Sequence, residues 1–214
     1  MTVVSFRDDD DVGSAAPLVD AHLTKDGVLA HPTETVYGFG CRPDSRALSA
    51  LSQLKQRDAT KPFLLLVATR RMAEDWGMRF TDVAAELVRR FWPGPLTLVL
   101  EVTGTKLPDS LKGPTGGVAV RCSSLKTITM LIEKLGYPIT STSANRSGEA
   151  AATDVEMVER RFGDDPNILI LDGGKMETAV PSTVVDCTDR TLRVVREGAI
   201  SLARLKSPTG TRVL

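Results

Sequence analysis

Short apolar runs alternate with helix-length stretches of 3.6-residue periodicity, and this alternation limits the fold more than any other feature of the chain. The run "PFLLLVA" (62–68) is continuously apolar and short, the mark of a strand buried on both faces. Before it, "DSRALSALSQLKQR" (44–57) sets Leu48, Leu51 and Leu54 three apart on one helical face, with Asp44 or Ser45 as N-cap. After it, "TDVAAELVRRF" (81–91) is a helix with its arginines in the last turn. Upstream, residues 14–26 predict a helix stopped by Gly27, followed by a short strand, "VLAH". "HPTETVYGFGCRP" (31–43) then reads as the turn from that strand into the next helix. Downstream come strands in "WPGPLTLVLEV" and "GGVAVRC", a helix over 124–135, the strand-like "YPIT" and a helix over 153–163. Three strands then crowd together in "NILILDGG", "STVVDCT" and "LRVVREG". Helices alternate with strands first and strands cluster late. The expected fold is therefore a single α/β domain with a twisted, mixed parallel/antiparallel sheet flanked by helices.

The totals exclude several functions. Lysine plus arginine number 27 and aspartate plus glutamate 27, so no global basic excess draws the protein to nucleic acid or a membrane surface. No run reaches the roughly 18 apolar residues of a membrane span, and the N-terminus has no basic leader, so a cytoplasmic protein is expected. Cys41, Cys122 and Cys187 are odd in number and outside any CxxC spacing, and His22 and His31 are the only histidines. Neither a disulfide framework nor a structural zinc site is expected. The lack of a Ser/His/Asp or Cys/His arrangement argues against covalent catalysis.

Chemistry is concentrated where elements end. The stretch 31–43 carries Thr33, Glu34, Thr35 and Tyr37 but neither GxGxxG nor GxxxxGK. Thr35 is read as a polar contact to a ligand, Tyr37 as a pocket wall, and Gly38 and Gly40 as freedom for a close turn. Glu34 is either a general base or a brace for the turn. In "KQRDATK", Lys55, Arg57 and Lys61 could clamp a polyphosphate, although cations at a helix C-terminus also complement its dipole. Arg121 ends "GGVAVR" at a sheet edge, where it could take a carboxylate in two parallel hydrogen bonds or make an ordinary surface ion pair. Ser141, Ser143 and Asn145 in "STSANRSG" project to one side if extended, offering hydroxyl and amide donors; a self-capping turn is the alternative. Ser182 and Arg196 are weaker candidates. Together these clusters suit a polyphosphate-plus-carboxylate site.

In order, "PTETVYGFG", "KQR", "WPGPLTLVL", "VAVR", "STSAN", "STVVD" and "VVREGAI" resemble the YrdC/Sua5 family of threonylcarbamoyl-AMP synthases, in its short single-domain form. The resemblance implies a YrdC-like catalytic domain over 15–203, with 1–14 as a lead-in and 204–214 as a C-terminal tail. It implies a concave, positively charged cleft, and a reaction of L-threonine, bicarbonate or CO2, and ATP that gives threonylcarbamoyl-AMP and pyrophosphate. Mg2+ would accompany ATP, with no metal held by protein side chains alone. The product would serve the N6-threonylcarbamoyladenosine modification of tRNA, with downstream tRNA threonylcarbamoyltransferase proteins as partners and no requirement for direct tRNA contact. Carried over residue by residue, the family's KxR…SxN set falls on Lys55, Arg57, Ser143 and Asn145 as catalytic residues. ATP would be bound by Lys55, Arg57, Lys61, Gly117, Ser143, Ala151 and Arg196, and threonine by Thr35, Arg121, Ser141 and Ser182. The chain departs from many Sua5-type members in having Lys61 in place of Asn and Leu66 in place of a threonine-contacting His. The alternatives are an RNA-binding or ribosome-associated module and a YciO-like paralogue; the intact "STSAN" favours the synthase over the latter. A hydrogenase-maturation carbamoyl module would bring acylphosphatase and zinc-finger segments that this sequence lacks.

Overall fold

The computed structural model describes residues 1–58, 61–176, 180–189 and 191–205. The first half contains β1 (Thr2–Ser5), α1 (Asp9–Leu23), β2 (Val28–His31), β3 (Gly38–Gly40), α2 (Ser45–Lys55), β4 (Leu64–Leu66), α3 (Arg70–Asp75), β5 (Met78–Arg79), α4 (Asp82–Phe91) and β6 (Leu96–Val102). The second contains β7 (Val118–Arg121), α5 (Lys126–Leu135), β8 (Ile139–Ser143), α6 (Val155–Phe162), β9 (Ile168–Asp172), β10 (Thr183–Asp186), β11 (Arg193–Arg196) and α7 (Leu202–Leu205). Among the described residues the strands form one sheet in the order β1-β9-β2-β3-β8-β4-β7-β6-β10-β11, with β5 beside β6. β1/β9, β2/β9, β4/β7 and β6/β10 are parallel and the other pairs antiparallel, which is the mixed α/β sheet expected.

The sheet separates two cores. Successive strand side chains point to opposite faces, so Val28, Ala30, Leu65, Ile168 and Ile170 join one core with residues of α2, α4 and α6. Leu29, Leu66, Leu169 and Leu171 join the other with α1 and α5. The second core extends no further than Leu66 and Ile139 on β4 and β8. Beyond it, on the same face, Thr97, Ala119, Arg121 and Val184 of β6, β7 and β10 line a cavity instead. Their neighbours Leu96, Leu98, Val118, Val120 and Val185 are buried in the first core. The functional surface is thus the stretch of sheet that α1 and α5 leave uncovered.

Several boundaries differ from expectation. The first helix begins at Asp9 rather than near residue 14: Asp8 caps it through Asp11 N at 2.9 Å, and Asp9, Asp10 and Asp11 place negative charge on its first turn. Residues 1–14, expected as a lead-in, supply β1 and the start of α1. The acidic run is thus the start of a helix. Of the expected tail 204–214, residues 206–214 lie outside the described residues. No described helix is long and apolar enough to cross a membrane.

Candidate active site

The stretch 31–43 is a β-hairpin, not a strand-to-helix turn: β3 returns antiparallel to β2, with His31 opposite Gly38 and Leu29 opposite Gly40. Thr33 ties the loop, its hydroxyl donating to Val36 O at 2.7 Å and accepting from Val36 N at 3.3 Å. With that proton spent, the Thr35 hydroxyl is the donor in the 3.1 Å contact with Thr33 Oγ1. Gly38 and Gly40 have no positive φ. They supply space rather than turning freedom, because a Cβ on Gly38 would stand 3.0 Å from both His31 Cε1 and Ser141 Oγ, and one on Gly40 2.4 Å from Thr140 O. Tyr37 is not a pocket wall. It is fully buried in the first core, donating to Gly174 O at 2.8 Å and accepting from Gly173 N at 3.0 Å.

Glu34 reaches out of the hairpin to the end of β7. Its carboxylate contacts the Arg121 guanidinium through one oxygen and accepts from the Ser123 hydroxyl through the other. It therefore braces Arg121 rather than its own turn. The Arg121 side chain is 6% exposed. Despite the close contact, the charges are not aligned as a hydrogen bond, which leaves Arg121 Nε and Nη2 and Glu34 Oε1 without hydrogen-bond partners. A buried guanidinium held by charge with donors unspent is suited to an incoming carboxylate. Behind it lies His31, fully buried, with Nδ1 on Pro32 O at 3.1 Å. Burial, with some repulsion from Arg121, pushes its pKa down to about 4, so the ring is neutral.

The cavity, of about 510 Å³, lies between the hairpin loop, β7, β8, the loop after α2 and the β10–β11 strand pair. Of the expected residues, Thr35, Arg57, Arg121, Ser141, Ser143, Asn145, Ala151, Ser182 and Arg196 line it together. Arg57 lies over the Phe63 ring at 5.1 Å and donates to Lys61 O at 3.0 Å and Pro62 O at 3.2 Å. Arg196 donates to Ser182 O through Nε at 3.2 Å and Nη2 at 2.8 Å, and Ser182 Oγ lies 2.9 Å from Thr97 Oγ1. Burial lowers the pKa of Arg57, and burial followed by repulsion from Arg121 lowers that of Arg196.

Three expected residues are not on the wall. Lys61 is exposed outside the cavity. Gly117 packs internally, where a Cβ would stand 2.4 Å from Thr188 Cγ2 and 2.9 Å from Leu100 O. Lys55 is buried beneath the wall, with its ammonium on Ser143 O, Asn145 O and Asn145 Oδ1. Ser141 and Ser143 share a face of β8 as alternation requires, but Asn145 lies past the strand's end and its amide is spent internally, Nδ2 donating to Glu149 O at 2.6 Å. Thr97 and Glu149 were not anticipated, and Thr33, part of the polar stretch noted in the sequence, was given no role there. Thr97 carried a signal, a polar residue between buried leucines. Leu66, where the family resemblance places a His, is buried in the second core.

The cavity gathers three arginines among hydroxyls, with Glu149 the one carboxylate on its described wall. Among the described residues no three His, Cys, Asp or Glu side chains converge as a metal site would need. This arrangement can bind a carboxylate and a polyphosphate at once and orient them. It has no evident nucleophile–base pair.

Comparison with known proteins gives consistent matches. The profile of the Sua5/YciO/YrdC family, described as telomere recombination, matches residues 21–198. A curated threonylcarbamoyl-AMP synthase of Thiobacillus denitrificans is 36% identical over 181 residues, covering 84% of this chain and 95% of that protein. The crystal structure of Pyrococcus abyssi Sua5 complexed with L-threonine superposes with a TM-score of 0.87 at 30% identity, covering all of this chain and 63% of that one. Escherichia coli YciO superposes at 0.80 with 25% identity, covering 96% of this chain and 98% of that one. The chain thus spans nearly the whole bacterial synthase and somewhat less than two thirds of the archaeal protein.

Proposed function

The chain belongs to the Sua5/YciO/YrdC family, and from that premise we propose that it is an L-threonylcarbamoyladenylate synthase, a nucleotidyltransferase acting on L-threonine, bicarbonate or CO2, and ATP. One observation carries the reading beyond homology. Arg121, buried and with unspent donors, shares a cavity with Arg57 and Arg196, so carboxylate-binding and phosphate-binding groups face the same space. The threonine carboxylate would lie on Arg121, near Thr35, Ser141 and Ser182. The nucleotide would lie toward Arg57, Ser143, Ala151 and Arg196. Mg2+ would arrive with ATP and be held through the polyphosphate, a fit for a wall of guanidinium and hydroxyl groups without converging carboxylates.

In the proposed sequence the threonine amine, as the free base, adds to CO2, and loss of a proton gives an N-carboxylate. One oxygen of that carboxylate attacks the α-phosphorus of ATP, and the bond to the departing pyrophosphate breaks. The side chains orient the two substrates in line and neutralise charge on the leaving group, which for phosphorus chemistry supplies most of the acceleration. Bound to Arg121 and Ser123, Glu34 acts as a brace rather than a general base.

The deciding experiment is pyrophosphate release from ATP and bicarbonate with threonine, with serine and with no amino acid. Threonine-dependent release is expected; release without amino acid, or none under any condition, refutes the synthase. Tight tRNA binding at physiological salt in a protein that binds neither ATP nor threonine would favour the RNA-binding alternative. The downstream role in tRNA threonylcarbamoyladenosine formation and the partner transferases are part of this proposal.

A further inference from the structure

Lys55 and Arg57 are two residues apart at the end of α2, yet their side chains diverge. Gln56 between them caps the helix in the left-handed region, at φ 49° and ψ 44°. Arg57 then faces the cavity, while Lys55 passes beneath its wall and is 2% exposed. Its ammonium meets three oxygens, Ser143 O at 2.5 Å, Asn145 O at 2.7 Å and Asn145 Oδ1 at 3.1 Å. An ammonium has three hydrogens, so none is left for a phosphate oxygen. The same lysine's carbonyl accepts from Ser147 N at 3.1 Å. Asn145 extends the network, with Oδ1 accepting from the Ser143 hydroxyl at 2.6 Å and Nδ2 donating to Glu149 O.

We propose that Lys55 is a positioning residue, an internal ammonium that shapes the Ser143–Glu149 loop on the nucleotide side of the cavity, and not a cation that grips the polyphosphate. Burying an ammonium is costly unless its hydrogens are matched, and here the carbonyls of one loop match all three. The lysine thereby selects a single loop conformation. The network also directs the Ser143 proton inward to Asn145. What Ser143 offers the cavity is its lone pairs, which suit an N–H, an O–H or a metal-bound water better than a bare phosphate oxygen. The effect on turnover rests on the synthase reading; the effect on the loop does not.

Two measurements test the proposal. The first needs no substrate: amide hydrogen exchange of residues 143–149 in the ligand-free protein. Lys55→Met and Asn145→Ala should each raise exchange across this loop, at Ser147 above all, by tenfold or more while the β2, β9 and α5 amides stay protected. Unchanged loop exchange in folded Lys55→Met overturns the proposal. Should Lys55→Met not fold, Asn145→Ala decides alone: it removes the one side-chain link to the lysine, together with the bonds to Ser143 and Glu149, without touching the lysine, and unchanged loop exchange in it overturns the proposal. The second is a double-mutant cycle on ATP affinity and threonine-dependent pyrophosphate release. If both residues act through one loop, the double variant should match the worse single variant within about threefold. Multiplying losses would mean that Lys55 touches the phosphates directly, and would overturn the proposal. A wild-type protein inactive with threonine would refute the synthase reading while leaving the exchange result to decide the role of Lys55.

Discussion

Replacing Glu34 by Gln should make the empty protein less stable while tightening its grip on threonine. Gln keeps the shape of Glu34 and can still accept from Ser123, so the change removes charge and little else. The Arg121 side chain is 6% exposed and that of Glu34 16%. Breaking a fully buried pair by removing one partner costs about 3–5 kcal/mol, because a cation is left uncompensated. Partial exposure of Glu34 and the accepting oxygen of Gln reduce this to about 2–3 kcal/mol. For a chain of 214 residues each kcal/mol shifts the melting temperature by about 2–4 °C, so a loss of roughly 5–10 °C is expected. Ligand binding should move the other way. A threonine carboxylate on Arg121 would lie about 6 Å from that of Glu34, where two like charges at an effective dielectric of about 20 repel by roughly 3 kcal/mol. Removing that repulsion should lower the threonine Kd by up to about 10²-fold and enlarge the threonine-induced gain in melting temperature. Calorimetry with and without saturating threonine reads both. A variant as stable as wild type would refute the claim that Glu34 is the counterion on which buried Arg121 depends.

Thr35→Val removes a hydroxyl that faces the cavity and should raise the threonine KM by about two- to tenfold, the worth of one hydrogen bond, with a smaller change for ATP; the reverse pattern would place the hairpin loop against the phosphates. Arg57→Ala should lower threonine-dependent pyrophosphate release by about 10²- to 10³-fold, and activity within a few-fold of wild type would remove Arg57 from the mechanism. His31 binds its proton in the unfolded chain near the ordinary value of 6.5 but in the fold only near 4, so its contribution to stability is complete above pH 6.5 and is lost as pH falls through this window. The loss is about 3 kcal/mol between pH 6.5 and 4, visible as a falling denaturation midpoint that His31→Leu should flatten; an equally steep fall in that variant would assign the acid limb elsewhere.

The alternation of apolar runs with helical periodicity was enough to predict the sheet and most helices, because burying "PFLLLVA" or "NILILDG" leaves few other solutions. What escaped was decided by contacts distant in sequence. "GFG" has no β-branched residue and reads as a turn, but its glycines form a strand because His31 and Thr140 occupy the space that side chains would need. Tyr37 was indistinguishable from a pocket residue until β3 gave it a face, and alternation then sent it into the core opposite Gly38. The basic cluster after α2 shows the limit most clearly. Spacing makes Lys55 and Arg57 look like one pair of cations on one ligand, and nothing nearby says otherwise, since the left-handed cap between them is Gln56 rather than glycine. That one residue at positive φ divides the pair, setting one cation against the loop carbonyls and the other into the cavity. A motif of two cations can therefore be half scaffold and half site. Substituting both together would conflate the two roles, whereas the single variants separate them: Lys55→Met should disturb the loop even without ligand, and Arg57→Ala should leave the loop intact while weakening the polyphosphate's hold.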